Sequence, residues 1–172
     1  MFRIREVKPE IRALGISVRQ ARNGHYQIVG VVYRGKLYLD GVLKAVSVAP
    51  DVSKMIVEMI QGSSHIHQLR VILLDESLLD PNVNVNPYLL SREVSKPVIA
   101  IGFSEQTDAN HPQTITFRHW LDRLVDVLSV GLDLEKAQKI LETTTKTGYK
   151  PEALRIAGIL ALSIKESVQH NL

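Results

Sequence analysis

The sequence contains no cysteine. This absence excludes disulfide bonds, catalysis by a thiolate and any zinc site with cysteine ligands, and it fits a reducing compartment. A metal ion bound by this chain would need oxygen or histidine ligands.

Long apolar runs are also missing. No stretch reaches the roughly 20 apolar residues that a membrane-spanning helix requires. The charged start, MFRIREVKPE, lacks the apolar segment of a secretory signal. We therefore expect a soluble, cytoplasmic protein with no membrane partner.

Several motifs of common enzyme sites are absent as well. There is no GxGxxG, no phosphate-binding glycine-lysine loop and no GxSxG nucleophile turn. His65 and His67 alternate in SSHIHQ as two metal ligands on a strand would, but the sequence offers no third ligand beside them. These absences argue against nucleotide-loop, serine-hydrolase and histidine-metal sites.

The composition is that of an ordinary globular domain. Of 172 residues, 45% are hydrophobic and 23% are charged, and this length suits one domain with a full core. We expect a single domain spanning residues 1–172.

The centre of the sequence is Leu69 to Asp75, LRVILLD. An apolar run of this length predicts a buried central strand. Ligands of open α/β sheets bind at the carboxyl ends of the strands, so Asp75 is the first candidate for a functional residue. The alternative is that Asp75 caps or orders the loop that follows it.

The flanking segments predict a mixed sheet. Three β-rich runs, Ile11 to Val18, Tyr26 to Arg34 and Leu37 to Val48, are separated by short turns and predict consecutive antiparallel strands. A helix ending near Gly62 would return the chain to the central strand. A short helix, Tyr88 to Val94, and a second buried strand, Pro97 to Gly102, complete a parallel crossover.

The last third predicts helices after an irregular stretch, Ser104 to Gln113. From Phe117, apolar residues at helical spacing predict a long amphipathic helix. They are Trp120, Leu121, Leu124, Val125 and Leu128. Two further helices are predicted, one capped by Asp133 and one starting at Pro151 and reaching about Glu166.

The element order βββαβαβ followed by helices is the layout of a ribonuclease H-like α/β fold, with three antiparallel strands, then parallel strands, and flanking helices. Other α/β arrangements share this element order and remain open.

The chain is moderately basic, with a net charge of +3 and a pI near 9.2. Basic residues concentrate in the first 22 positions, against only two glutamates. They are Arg3, Arg5, Lys8, Arg12, Arg19 and Arg22. This segment is either a phosphate-binding edge or a solvated basic arm.

Several motifs, in order, resemble a known archaeal family, domain of unknown function ninety-nine, which is similar to endonuclease V. They are LGI (14–16), VGVVYRGKLYLDGVL (29–43), VILLD (71–75), PVIAI (97–101) and TGYKPEALRIAGILA (147–161). Endonuclease V is a ribonuclease H-like nuclease that cuts next to deaminated adenine. The resemblance covers most of the chain.

The resemblance implies chemistry based on magnesium held by carboxylates, since a hard cation prefers oxygen ligands and assists attack of water on phosphorus. In that pattern an aspartate follows the first strand motif, a glutamate follows the third strand, an aspartate ends the fourth and a histidine lies on the last helix. Here the first two positions hold Ser17 and, approximately, Ser47, and the histidine position holds Gly158. Of the three carboxylates only Asp75 remains.

A second acid could come from elsewhere in the chain. Asp40 matches the YLDG-like pattern of the uncharacterised family and is a candidate metal ligand beside Asp75. The neighbouring Gly41 equally indicates a structural turn role for Asp40. Glu76 is a further acid next to Asp75.

Candidate nucleic-acid-binding residues are basic. Arg155 in KPEALR would hold a phosphate or another site residue, with Lys146 and Lys150 nearby and Arg12 from the basic arm. The alternative for Arg155 is an ion pair with Glu152 one helical turn away.

We therefore expect a divergent endonuclease V-like protein that is catalytically inactive and binds nucleic acid, with no cofactor or only weakly bound Mg²⁺. The alternatives are a weak magnesium-dependent nuclease using Asp75 with Asp40 or Glu76, and a non-catalytic assembly module. The sequence leaves oligomerisation open.

Overall fold

The fold is seen in a computed structural model that describes residues 1–103, 114–119, 123–148 and 150–170. The strands are β1 (Arg12–Gln20), β2 (Tyr26–Arg34), β3 (Tyr38–Ser47), β4 (Val71–Asp75), β5 (Val98–Ile101), β6 (Thr114–His119) and β7 (Arg123–Val130). The helices are α1 (Ser53–Gln61), α2 (Pro87–Val94), α3 (Leu134–Thr144) and α4 (Glu152–His170), with a short 3-10 helix at Glu76–Leu78.

The described strands form one mixed sheet in the order β3-β2-β1-β4-β5-β7-β6. Strands β1, β2 and β3 are antiparallel neighbours, and β1, β4 and β5 are parallel. Strand β7 is antiparallel to β5 and carries β6 at the edge. The predicted antiparallel trio followed by parallel strands, with flanking helices, is confirmed.

Strand β4 is the buried centre that its apolar run predicts, since all five of its residues are buried. Ile72 and Leu74 face the core beneath α1 and α2, whereas Val71 and Leu73 face the core beneath α3 and α4. A strand covered on both faces needs apolar residues at successive positions, which explains its continuous hydrophobic run.

Helix α4 lies directly on β1. A Cβ added to Gly15 would overlap the backbone of Ala153 in the first turn of this helix, so glycine is the residue that permits the approach. The helix begins one residue after Pro151 and extends beyond the predicted end, to His170. The predicted cap of α3 is confirmed, because Asp133 accepts a hydrogen bond from the backbone N–H of Lys136.

The long helix predicted from Phe117 is wrong, since the structure has β6 and β7 there. In β7, Val127 packs on one face of the sheet while Leu128 and Val130 pack on the other. A strand with apolar residues on both faces produces spacings of three and four that imitate a helical stripe. Trp120 and Leu121, and the predicted irregular stretch Ser104 to Gln113, lie outside the described residues.

Among the described helices, none is long and apolar enough to cross a membrane.

Candidate functional site

Asp75 is the last residue of β4 and lies at the carboxyl ends of the parallel strands, as predicted. Its side chain accepts hydrogen bonds from the backbone N–H of Ser77 (2.9 Å) and from Ser77 Oγ (2.7 Å). Asp75 thereby caps the 3-10 helix that follows it. This is the loop-ordering role that the sequence left as an alternative.

Lys150 brings a positive charge to the same carboxylate. Its Nζ lies 3.3 Å from Asp75 Oδ2 and donates to Ser77 Oγ over 3.3 Å. Lys150 lies just before α4, so the packing of that helix on β1 delivers the ammonium group to the end of β4. Asp75, Ser77 and Lys150 therefore form one cluster, which we call the Asp75 cluster.

The serines at the other two carboxylate positions make local hydrogen bonds. Ser17, fully buried in β1, donates to the carbonyl of Leu78 over 2.9 Å. Gly15 of β1 is paired with Leu73 of β4, and Ser17 and Asp75 each follow two residues later. Because side chains two residues apart on a strand point to the same face, Ser17 and Asp75 lie on one face of the sheet. Ser47 donates to the carbonyl of Ala49 over 2.9 Å. Asp75 is thus the one carboxylate at the three positions of the endonuclease V pattern.

The described residues hold no group of three or more histidine, aspartate and glutamate side chains placed to share a metal ion. Glu76 follows Asp75 directly, and its side chain is exposed. His65 lies against Gly41 of β3, where an added Cβ would overlap its ring, and His67 is exposed.

Asp40 does not join the Asp75 cluster. It is the extra residue of a bulge in β3 and pairs with Arg12 Nε (2.7 Å) and Arg34 Nε (2.8 Å). Arg12 begins β1, whereas Asp75 ends the parallel strand β4, so the two acids lie at opposite ends of the sheet. This corrects the expectation that Asp40 could hold a metal ion together with Asp75.

The hydrogen bond from Arg34 lowers the pKa of Asp40. Partial burial opposes this shift, and the hydrogen bond from Arg12 lowers the pKa further. The charged form of Asp40 is therefore favoured by its two arginines, which supports a structural role.

The candidate nucleic-acid-binding residues do not form one surface. Lys150 belongs to the Asp75 cluster and Lys146 is exposed in the loop before it, whereas Arg12 lies at the opposite end of the sheet. Arg155 pairs with the buried Glu152 over 3.0 and 2.8 Å, as the alternative for this residue proposed. The Glu152 hydrogen bond raises the pKa of Arg155 against the opposing effect of burial.

At the histidine position of the endonuclease V pattern, Gly158 lies against the side chain of Leu78. A Cβ added to Gly158 would lie 2.8 Å from Leu78 Cδ2. Leu78 belongs to the 3-10 helix that Asp75 caps. A larger side chain at position 158 would therefore require the side chain of Leu78 to move.

Sequence reasoning missed Ser77 and the pairing of Arg34 with Asp40. The spacing Asp-x-Ser, in which an aspartate accepts from the residue two positions later, was the available signal for Ser77. Arg19 was noted only as part of the basic arm. Its Nε atom is buried and has no hydrogen-bond partner within the described part of the chain.

The chain is similar in sequence to archaeal proteins and similar in fold to several solved structures. No protein-family model matches the sequence. A UPF0215 protein of the archaeon Methanosarcina mazei is 31% identical over 181 aligned positions, covering 92% of each chain. This archaeal relative is consistent with the archaeal family that the sequence motifs resemble.

Solved structures match the fold. A protein of unknown function from Archaeoglobus fulgidus has a TM-score of 0.70 at 20% identity, covering 90% of this chain and 98% of its own. Human ENDOV has a TM-score of 0.68 at 16% identity, covering 93% and 86%. Ciona intestinalis endonuclease V, in complex with a DNA containing inosine, has a TM-score of 0.64 at 13% identity, covering 92% and 87%. The fold is therefore that of endonuclease V.

Proposed function

The chain belongs to the UPF0215 family, and we propose that it is a nucleic-acid-binding protein with the fold of endonuclease V that does not cut nucleic acid with a divalent metal. The observation that carries the inactive assignment is the ion pair between Asp75 and Lys150.

The donor set does not fit Mg²⁺. This ion needs several oxygen ligands in near-octahedral geometry and usually takes one or more carboxylates to offset its dehydration. The Asp75 cluster supplies one carboxylate, already paired with an ammonium group, together with the neutral hydroxyl of Ser77. A magnesium ion would have to compete with Lys150 for the only negative charge in this cluster.

Nucleic-acid binding is supported by charge and by fold. The net charge is +3, which favours an anionic partner. The Ciona intestinalis structure shows that a protein of this fold binds DNA containing inosine. Phosphate contacts from lysine and arginine would provide most of the affinity.

The test combines a metal titration with a cleavage assay. Calorimetry with Mg²⁺ and Mn²⁺ should show no binding at millimolar concentration, and inosine-containing DNA and RNA strands should stay intact. Labelled oligonucleotides should bind at low salt, with affinity that falls steeply as salt rises. Metal-dependent cutting that disappears in Asp75→Asn would overturn the inactive assignment, and no binding at low salt would overturn the nucleic-acid assignment.

A second candidate function, assembly, is favoured by the outer edge of the sheet. Strand β3 is an edge strand of the described sheet, and apolar side chains along it are exposed. They include Tyr38, Leu39, Val42 and Val46. Exposed apolar edge strands are typical of pairing surfaces. Light scattering after size-exclusion chromatography would distinguish a stable oligomer from a monomer.

A further inference from the structure

Four basic residues form a row across the amino-terminal end of the sheet. Arg34 and Arg12 are directly paired on β2 and β1, and the backbone N–H of Arg70 donates to the carbonyl of Arg12 over 3.0 Å. Arg70 and Lys96 each lie two residues before the paired residues Ile72 and Val98 of β4 and β5. The row Arg34, Arg12, Arg70 and Lys96 therefore follows the strand order β2-β1-β4-β5. We call it the cationic row.

The cationic row is only partly neutralised. Asp40 pairs with Arg12 and Arg34 at one end of the row. No hydrogen bond or ion pair within the described residues engages the side chain of Arg70 or of Lys96. Glu93, three residues before Lys96 in the sequence, is paired with Arg92 over 2.9 Å. In the part of the chain that the structure describes, one acid pairs with the row of four cations, which leaves an excess positive charge at the end formed by Arg70 and Lys96.

The two unpaired cations affect each other. Partial burial, followed by repulsion from Arg70, lowers the pKa of Lys96. Two like charges held together without a counter-charge raise the free energy of the folded state, and a bound anion would relieve this cost. Arg70 is exposed and Lys96 is half-buried, so an anion in solvent can reach both.

We infer that the cationic row binds the phosphate backbone of a nucleic acid, with Arg70 and Lys96 as its main contacts. This inference rests on the proposed function and assigns it a surface. Neighbouring strands are spaced about 4.8 Å apart, so the row presents a line of cations instead of a single point charge. A line of cations suits a chain of phosphates and reads no base sequence.

This surface is distinct from the Asp75 cluster. Arg70 directly precedes β4 and Asp75 is the last residue of β4, so the two residues lie about 16 Å apart along the strand at roughly 3.3 Å per residue. Contacts at the row would therefore leave the Asp75 cluster free.

The test compares two double variants that each remove two positive charges. Arg70→Ala with Lys96→Ala removes the unpaired end of the cationic row. Lys54→Ala with Lys139→Ala removes two exposed lysines from α1 and α3 and serves as the matched control. Fluorescence anisotropy of labelled single- and double-stranded oligonucleotides at several salt concentrations measures the affinity and its salt dependence for both variants and the wild type. Thermal melts confirm that each variant is folded.

The row variant should bind roughly tenfold more weakly at low salt, and the slope of log affinity against log salt should fall by about two. The control should bind within about twofold of wild type. If the wild type binds and the row variant binds equally well, the inference fails while the proposed function stands. If the wild type binds no oligonucleotide at low salt, the proposed function fails and the inference fails with it.

A further variant should change the affinity for oligonucleotides in the opposite direction. Asp40→Asn frees Arg12 and Arg34 from their counter-charge, so the row should bind oligonucleotides roughly threefold more tightly, with a steeper salt dependence. Unchanged or weaker binding by a folded Asp40→Asn protein would count against the row as the binding surface. If oligonucleotides bound at a different site, the row variant would not lose affinity while Asp40→Asn gains it.

Discussion

The ammonium group of Lys150 lies 3.3 Å from Oδ2 of Asp75, at the end of the central strand. The carboxylate that remains from the endonuclease V pattern is thus neutralised by the chain itself. In a metal-dependent nuclease of this fold the counter-charge would be supplied by a divalent ion. The buried side chain of Asp75 also accepts two hydrogen bonds from Ser77, so its polar atoms have partners within the protein.

Replacing Asp75 by Asn should destabilise the protein by less than about 2 kcal/mol, because the amide oxygen can still accept from Ser77 and the lost ion pair is partly exposed. Thermal melts with and without millimolar Mg²⁺ measure the effect. Neither protein should be stabilised by the metal. If Mg²⁺ raises the melting temperature of the wild type and Asp75→Asn abolishes the increase, mass-action linkage requires a metal site at this residue.

Replacing Asp40 by Asn should destabilise the protein at neutral pH by about 1 kcal/mol, because two part-exposed arginines lose their acceptor. The pKa of Asp40 is lowered in the folded state, so the stabilisation is present above the ordinary aspartate pKa, near pH 4, and is lost as pH falls through the lowered folded value. Chemical denaturation from pH 7 to pH 2 should therefore show the two proteins converging below about pH 4.

Glu58→Gln is the control for this pH experiment, since it removes a negative charge from the exposed surface of α1. Its difference from the wild type at pH 7 should be smaller, within about 0.5 kcal/mol. The free energies of unfolding of the wild type and Asp40→Asn could instead differ by a constant amount across the acid range. That result would show that the contacts of Asp40 with Arg12 and Arg34 do not control the stability.

Replacing Gly15 by Ala should destabilise the protein by about 3 kcal/mol, because the added methyl group would overlap the backbone of Ala153 and push α4 away from β1. Urea denaturation measures the loss. Gly62→Ala is the control at an exposed helix end with negative φ, and it should change stability by less than about 0.5 kcal/mol. Equal effects at the two positions would contradict the close approach of α4 and β1.

Much of the local structure, and the order of the first five strands and two α-helices, could be predicted from the amino-acid sequence. Tyr26–Arg34 was predicted with its observed bounds, and the central strand ends at Asp75 as expected. These predictions hold because apolar runs, turn glycines and caps act over a few residues. Local rules also located the cap at Asp133, whose partner is three residues away.

The strand at β7 and the contacts of Asp75 and Asp40 depend on long-range packing. The segment that forms β7 has an apolar pattern compatible with helix or strand, and pairing with β5 selects the strand. Lys150 meets Asp75 because α4 packs on β1 through Gly15, and Asp40 meets Arg12 because β1 and β3 flank β2. Contacts between residues distant in sequence depend on how strands and helices pack, which local sequence patterns do not encode.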